Sequence, residues 1–91
     1  MIRLNCFFQA KDGQLDAALA AAKALTAASL EQDGCIAYDV FASATRPGVL
    51  LICETWRDEA ALAAHSASAP FVKYVAVLNG AGTMKIEKFT F

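Results

Sequence analysis

The sequence predicts an α+β domain of the ferredoxin-like type, with the order β-α-β-β-α-β and an antiparallel sheet carrying its helices on one face. Three observations predict it. Four short segments read as strands and two longer regions between them as helices. Turn chemistry separates them, with KDG at 11–13, QDG at 32–34 and the Pro47-Gly48 pair. Finally, 91 residues make a single domain, 1–91, with no length left for a second.

Residues 2–9, IRLNCFFQ, put Ile2, Leu4, Cys6 and Phe8 on one face and Arg3, Asn5, Phe7 and Gln9 on the other. KDG breaks this strand, and Asp12 is the expected N-cap of the first helix. That helix covers 14–31, where Leu15, Ala18, Leu19, Ala22, Leu25, Thr26, Ser29 and Leu30 recur with a period of about 3.6. Its other face is mostly alanine, a strong helix former. Gly34 suits the left-handed position that follows a helix.

Residues 35–42, CIAYDVFA, are the second strand, and SATRPG turns the chain into the third, 49–56, VLLICETW. The third strand has few polar residues on either face before Glu54. Such a strand has both faces covered, one by helices and the other by a second copy of the chain. Asp58 caps a helix that runs to His65. SASAP interrupts it, and FVKYVAVLN resumes as helix with Pro70 in its first turn and Phe71, Tyr74, Val75 and Leu78 at helical spacing. TMKIEKFTF, 83–91, is the last strand.

Composition narrows the function classes. Apolar residues make up 57 % of the chain and charged ones 19 %, an oily balance for so small a body, which again points to a homodimer. A net charge of −1 leaves no electrostatic footprint for nucleic acid or an anionic membrane surface. No apolar run reaches the roughly 18 residues of a membrane span, and MIRLNCFFQAKDG is not a signal peptide, so the cytoplasm is the expected compartment. Cys6, Cys35 and Cys53 are odd in number and widely spaced, as expected of buried inert thiols rather than disulfides or metal ligands. No phosphate-cradling glycine loop is present, and a single histidine cannot complete a metal cluster.

What remains is ETWRDEAALAAHSASAPF, which holds Glu54, Trp56 and the only histidine, His65. Glu54 and Trp56 share a strand face by two-residue alternation. His65 follows Ala61 and Leu62 by four and three residues, so it turns toward the sheet. A shared pocket is one reading, and a hydrogen-bonded structural histidine beside a core tryptophan is the other. Glu54 reads as readily as a salt-bridged sheet residue as an acid or base. Asn5, an amide in an apolar strand, needs a partner, either a ligand or a backbone group. Tyr38 and Tyr74 offer hydroxyls and Phe71 an aromatic wall, with ordinary core packing as the alternative for each.

Gly34-Cys35 followed by Tyr38, then Glu54-x-Trp56, Asp58, and His65 followed by Phe71, together resemble the antibiotic biosynthesis monooxygenase family over nearly the whole chain. The likeness is greatest to its quinol monooxygenase branch. The resemblance implies a dimeric α/β barrel, with a pocket between sheet and helices in each subunit. It further implies oxidation of quinol-like or polycyclic phenols by molecular oxygen, with no cofactor and no metal. By the same resemblance His65 is the base or anchor, Trp56 walls the pocket and Asn5 holds a substrate oxygen, while Tyr38, Phe71 and Tyr74 line it. Glu54 is expected to be structural. FVKYVAVL lacks the histidine of haem-degrading relatives. A sister branch resembles isomerases of small phosphorylated autoinducer-2-type sugars, which call for basic residues, with Arg3, Arg57 and Lys73 as candidates. A non-catalytic ligand-binding dimer is the third alternative.

Overall fold

The structure, a computed structural model describing residues 1–91, follows the order β1 (Ile2–Ala10), α1 (Leu15–Leu30), β2 (Cys35–Ala42), β3 (Val49–Trp56), α2 (Glu59–Ser66), α3 (Ala69–Ala81) and β4 (Gly82–Thr90). The four strands form one antiparallel sheet in the order β2-β3-β1-β4. This is the ferredoxin-like α+β architecture that the pattern predicts.

Alternation along the two central strands decides which face the helices cover. Ile2, Cys6 and Phe8 of β1 and Leu50, Ile52 and Trp56 of β3 are buried beneath the helices. Ala18, Ala22 and Leu25 of α1 and Leu78 of α3 close over them. Burying a large apolar side chain of this kind stabilises the fold by about 1.5–3 kcal/mol. On the opposite face, Leu51 pairs with Phe7 on one side and Phe41 on the other, so three apolar side chains lie in one row. Phe7 is 38 % and Phe41 51 % exposed, so nothing in the single chain covers this row.

Several local expectations are corrected. Asp12 does not cap α1: Gly13 adopts a left-handed φ of 77°, the Gln14 amide bonds to the Lys11 carbonyl, and Gln14 takes the cap position without a side-chain bond. The left-handed glycine places a complete turn between Asp12 and the helix. Leu30 faces outward, and the small Ser29 fills the buried place at that end. Among the cysteines only Cys6 is buried, while Cys35 and Cys53 are half-buried. Gly34 does take the left-handed conformation, with φ at 81°. A Cβ there would collide with that of Ala61, so α2 sits directly over the start of β2.

Two details of β2 and of the α2–α3 junction position the site. Cys35 and Ala37 pair with the neighbouring residues Trp56 and Thr55, which leaves Ile36 as an extra residue, a β-bulge. Beyond it Tyr38 pairs with Glu54, which in turn pairs with Leu4. Ser68 caps α3 with Pro70 in its first turn, and α3 turns 67° away from α2. No single helix is long and apolar enough to cross a membrane.

Candidate active site

Strand β3 delivers Glu54 and Trp56 to the helix-covered face. The Trp56 indole Nε1 donates to Glu54 Oε1 at 2.9 Å, and the Cys6 thiol of β1 donates to Oε2 at 3.8 Å. Glu54 is only 4 % exposed, and no lysine or arginine pairs with it. Burial therefore raises its pKa above the ordinary carboxylate value, although the hydrogen bond from Trp56 works against the rise. The same environment pushes the Cys6 thiol up to about 12, chiefly through burial, so it stays protonated.

Helix α2 brings His65. Asp58 Oδ1 accepts from the Ala61 amide at 2.9 Å, and this cap sets the phase that turns Leu62 and His65 toward the sheet. The imidazole is 2 % exposed and sits among aromatic rings. Its centroid is 4.4 Å from Trp56, 5.1 Å from Phe71 in an edge-on contact, and 5.7 Å from Tyr38. Desolvation lowers its pKa to about 4, so the ring is neutral at pH 7.

A closed ring of hydrogen bonds assigns the tautomer. Gln32 Nε2 donates to Ser68 Oγ at 3.0 Å, and Ser68 Oγ donates to the His65 carbonyl at 2.7 Å. The amide oxygen of Gln32 then faces His65 Nδ1 at 2.7 Å, so Nδ1 carries the proton. Nε2 keeps its lone pair on the sheet side, 4.0 Å from Glu54 Oε1.

Between the sheet and the three helices lies a cavity of about 130 Å³. Tyr38, Glu54 and His65 form its polar corner, and side chains such as Leu25, Ile52, Phe71 and Leu78 form an apolar wall. An apolar cavity of about 150 Å³ admits benzene, so this one has the size of a single ring. No lysine or arginine lines it. Arg57 lies outside, bonded to Asp33 and Asp58. Arg3 bonds Thr55, and Lys73 stands over the Tyr74 ring.

The structure thus brings His65, Tyr38 and Phe71 to one cavity. Trp56 is fully buried behind the imidazole and the carboxyl, backing the site rather than lining it. Tyr74 packs at the edge of the core and does not reach the cavity. Asn5 is not brought there either. Alternation in β1 turns it to the opposite face, where its Oδ1 accepts from the Cys53 thiol at 3.5 Å.

Three residues of the site were not singled out for it by the sequence reading. Glu54 had a signal, its shared face with Trp56, but its lack of a cation was not visible. Gln32 and Ser68 had none, because the Gln32–His65 contact joins residues 33 apart in sequence. A lone-pair nitrogen beside a carboxyl in an apolar, ring-sized chamber is suited to binding a hydroxylated aromatic and moving its proton.

Comparison with known proteins agrees. The family described as antibiotic biosynthesis monooxygenase matches residues 1–77. "Putative monooxygenase YcnE" of Bacillus subtilis is 30 % identical over 76 residues, covering 84 % of this chain and 80 % of that protein. A conserved protein of unknown function from Bacteroides thetaiotaomicron, described as a "possible oxidoreductase", is 49 % identical and superposes with a TM-score of 0.96, over 99 % of this chain and 96 % of that one. The crystal structure of an antibiotic biosynthesis monooxygenase is 25 % identical with a TM-score of 0.92, over 100 % of this chain and 98 % of that one.

Proposed function

This chain belongs to the antibiotic biosynthesis monooxygenase family, and from that premise we propose that its cavity binds a one-ring, quinol-like phenol and oxidises it with molecular oxygen. The observation that carries the reading is the cavity itself, apolar on most sides, with Tyr38, Glu54 and His65 at one corner. Its volume of about 130 Å³ favours one ring over the polycyclic phenols that the wider family resemblance also brings in.

Loss of the phenolic proton to His65 Nε2 leaves an electron-rich anion that can pass an electron to oxygen, and the radical pair recombines in the water-excluding chamber. For a hydroquinone the balance is one quinol plus one O₂ giving a hydroxyquinone plus water. The ring supplies all the electrons. Trp56 acts from behind by stacking on the imidazole, and Asn5 is assigned to the outer sheet face rather than to substrate. That face, with Phe7, Leu51 and Phe41 in a row, is where we place a homodimer contact.

The isomerase alternative is disfavoured because a phosphorylated sugar needs cationic groups, and the cavity wall has none. Oxygen uptake with a panel of hydroquinones, for the wild type and for His65→Ala, tests the proposal. We expect uptake by the wild type and loss by the variant of about a hundredfold or more. Turnover of phosphorylated sugars without oxygen uptake would replace this reading with the isomerase, and ligand binding with neither activity would replace it with a binding protein.

A further inference from the structure

We propose that Glu54 is a second catalytic residue, a neutral carboxylic acid that donates a hydrogen bond to the substrate's phenolate oxygen while His65 Nε2 takes the proton. The proposal rests on the reading of the cavity as a phenol site. Oε1 of Glu54 and Nε2 of His65 are 4.0 Å apart, too far for a direct hydrogen bond. A substrate oxygen at about 2.8 Å from both the carboxyl and the imidazole fits across such a gap. Both groups line the cavity, so the oxygen would occupy its polar corner.

The chemistry needs this second group. An imidazole that burial holds neutral down to about pH 4 is a weak base for a phenol. The phenolate oxygen therefore has to be stabilised by a donor that is not solvent. Glu54 is placed for that task, and the groups facing it favour its acid form. On β1 is the protonated Cys6 thiol, on β2 the Tyr38 hydroxyl, whose pKa is likewise raised by burial, and on its own strand the Trp56 indole. From α2 comes the neutral imidazole. On β4, Lys88 is spent on Glu59 at the surface, 2.8 Å away, and brings no positive charge to Glu54.

The step balances. The substrate O–H bond breaks, the Nε2–H bond forms, and the Glu54 proton remains on its oxygen while bridging to the phenolate. The cavity goes from three neutral groups to an imidazolium–phenolate pair with no change in net charge, which avoids an isolated ion in an apolar chamber. A carboxylic acid kept neutral by an apolar site so that it can donate to an oxyanion is an established catalytic device.

The test uses 4-nitrophenol, whose phenolate absorbs in the visible, held at a pH below the free ligand's own pKa. In the wild type we expect the bound ligand to be ionised, with an infrared band of a protonated carboxyl that disappears in Glu54→Gln. In Glu54→Met the ligand should bind, by calorimetry, but stay neutral, and kcat on a hydroquinone should fall about a hundredfold. Glu54→Gln keeps the acceptor for the Trp56 indole and supplies an N–H donor, so it should recover about tenfold of that loss. A wild-type phenolate spectrum in Glu54→Met, no recovery in Glu54→Gln, or no carboxylic acid band in the liganded wild type would each overturn the proposal. Failure of the wild type to bind 4-nitrophenol would remove the cavity reading and this inference with it. Ionised binding without oxygen uptake from any hydroquinone would remove only the oxidation.

Discussion

His65 and Glu54 are neutralised by the same burial, and that has opposite consequences for stability. A histidine whose folded pKa is about 4 against an ordinary 6.5 is protonated first in the unfolded chain. Its contribution therefore falls as pH drops from 6.5 to about 4, by about 3 kcal/mol at 1.36 kcal/mol per pKa unit. Glu54, raised above its ordinary 4.5, makes the fold lose stability as pH rises past that value. The two slopes oppose each other in an overlapping window. In Glu54→Gln only the histidine slope remains, so denaturant unfolding of that variant should show the full decline between pH 6.5 and 4. A second expectation concerns the tautomer: Gln32→Leu removes the acceptor at Nδ1, and nitrogen NMR of His65 should change from a single Nδ1–H form to a mixture. At this scale the sequence was informative about direction and silent about partners. Two-residue alternation turned Glu54 and Trp56 inward together, and helical spacing turned His65 to meet them. Whether Glu54 met a cation, and whether Asn5 shared its chamber, depended on which face of β1 the helices covered and on contacts between distant residues.

Most elements were legible because punctuation and periodicity agreed. VLLICETW became β3 at the expected bounds, and Ser68 with Pro70 makes the break inside the second helical region a physical one. The start of α1 was misread because Asp12 is a good cap by type, whereas the left-handed Gly13 behind it delays the helix. Gly34 matters more than its turn role suggested, since α2 rests against it. Gly34→Ala should destabilise the fold by about 1–2 kcal/mol for the backbone conformation alone, with a further cost as Ala61 is pushed away. Because Ala61 lies one turn before His65, the same variant should also weaken ligand binding. Asp58→Ala, which removes the cap from the Ala61 amide, should cost about 1 kcal/mol in denaturant titration.

For the molecule as a whole, the sheet has one face closed by helices and one that carries Phe7, Leu51 and Phe41 half-open to solvent. Sedimentation at micromolar concentration should show a dimer, and Leu51→Asp, a buried charge at the centre of that row, should give a monomer. The two faces are linked through the strand that supplies both Phe41 and Tyr38. Counting back along β2, Tyr38 faces the cavity only because Ile36 is an additional residue. Ile36 thus works as a phase shift within the strand, and its removal should behave as a parity error. A one-residue deletion there would offer Tyr38 the choice of leaving the cavity or pulling the strand out of step with β3. Deletion of this one solvent-facing side chain should therefore disturb the chemistry inside and the assembly outside at once, whereas Ile36→Ala should leave both intact.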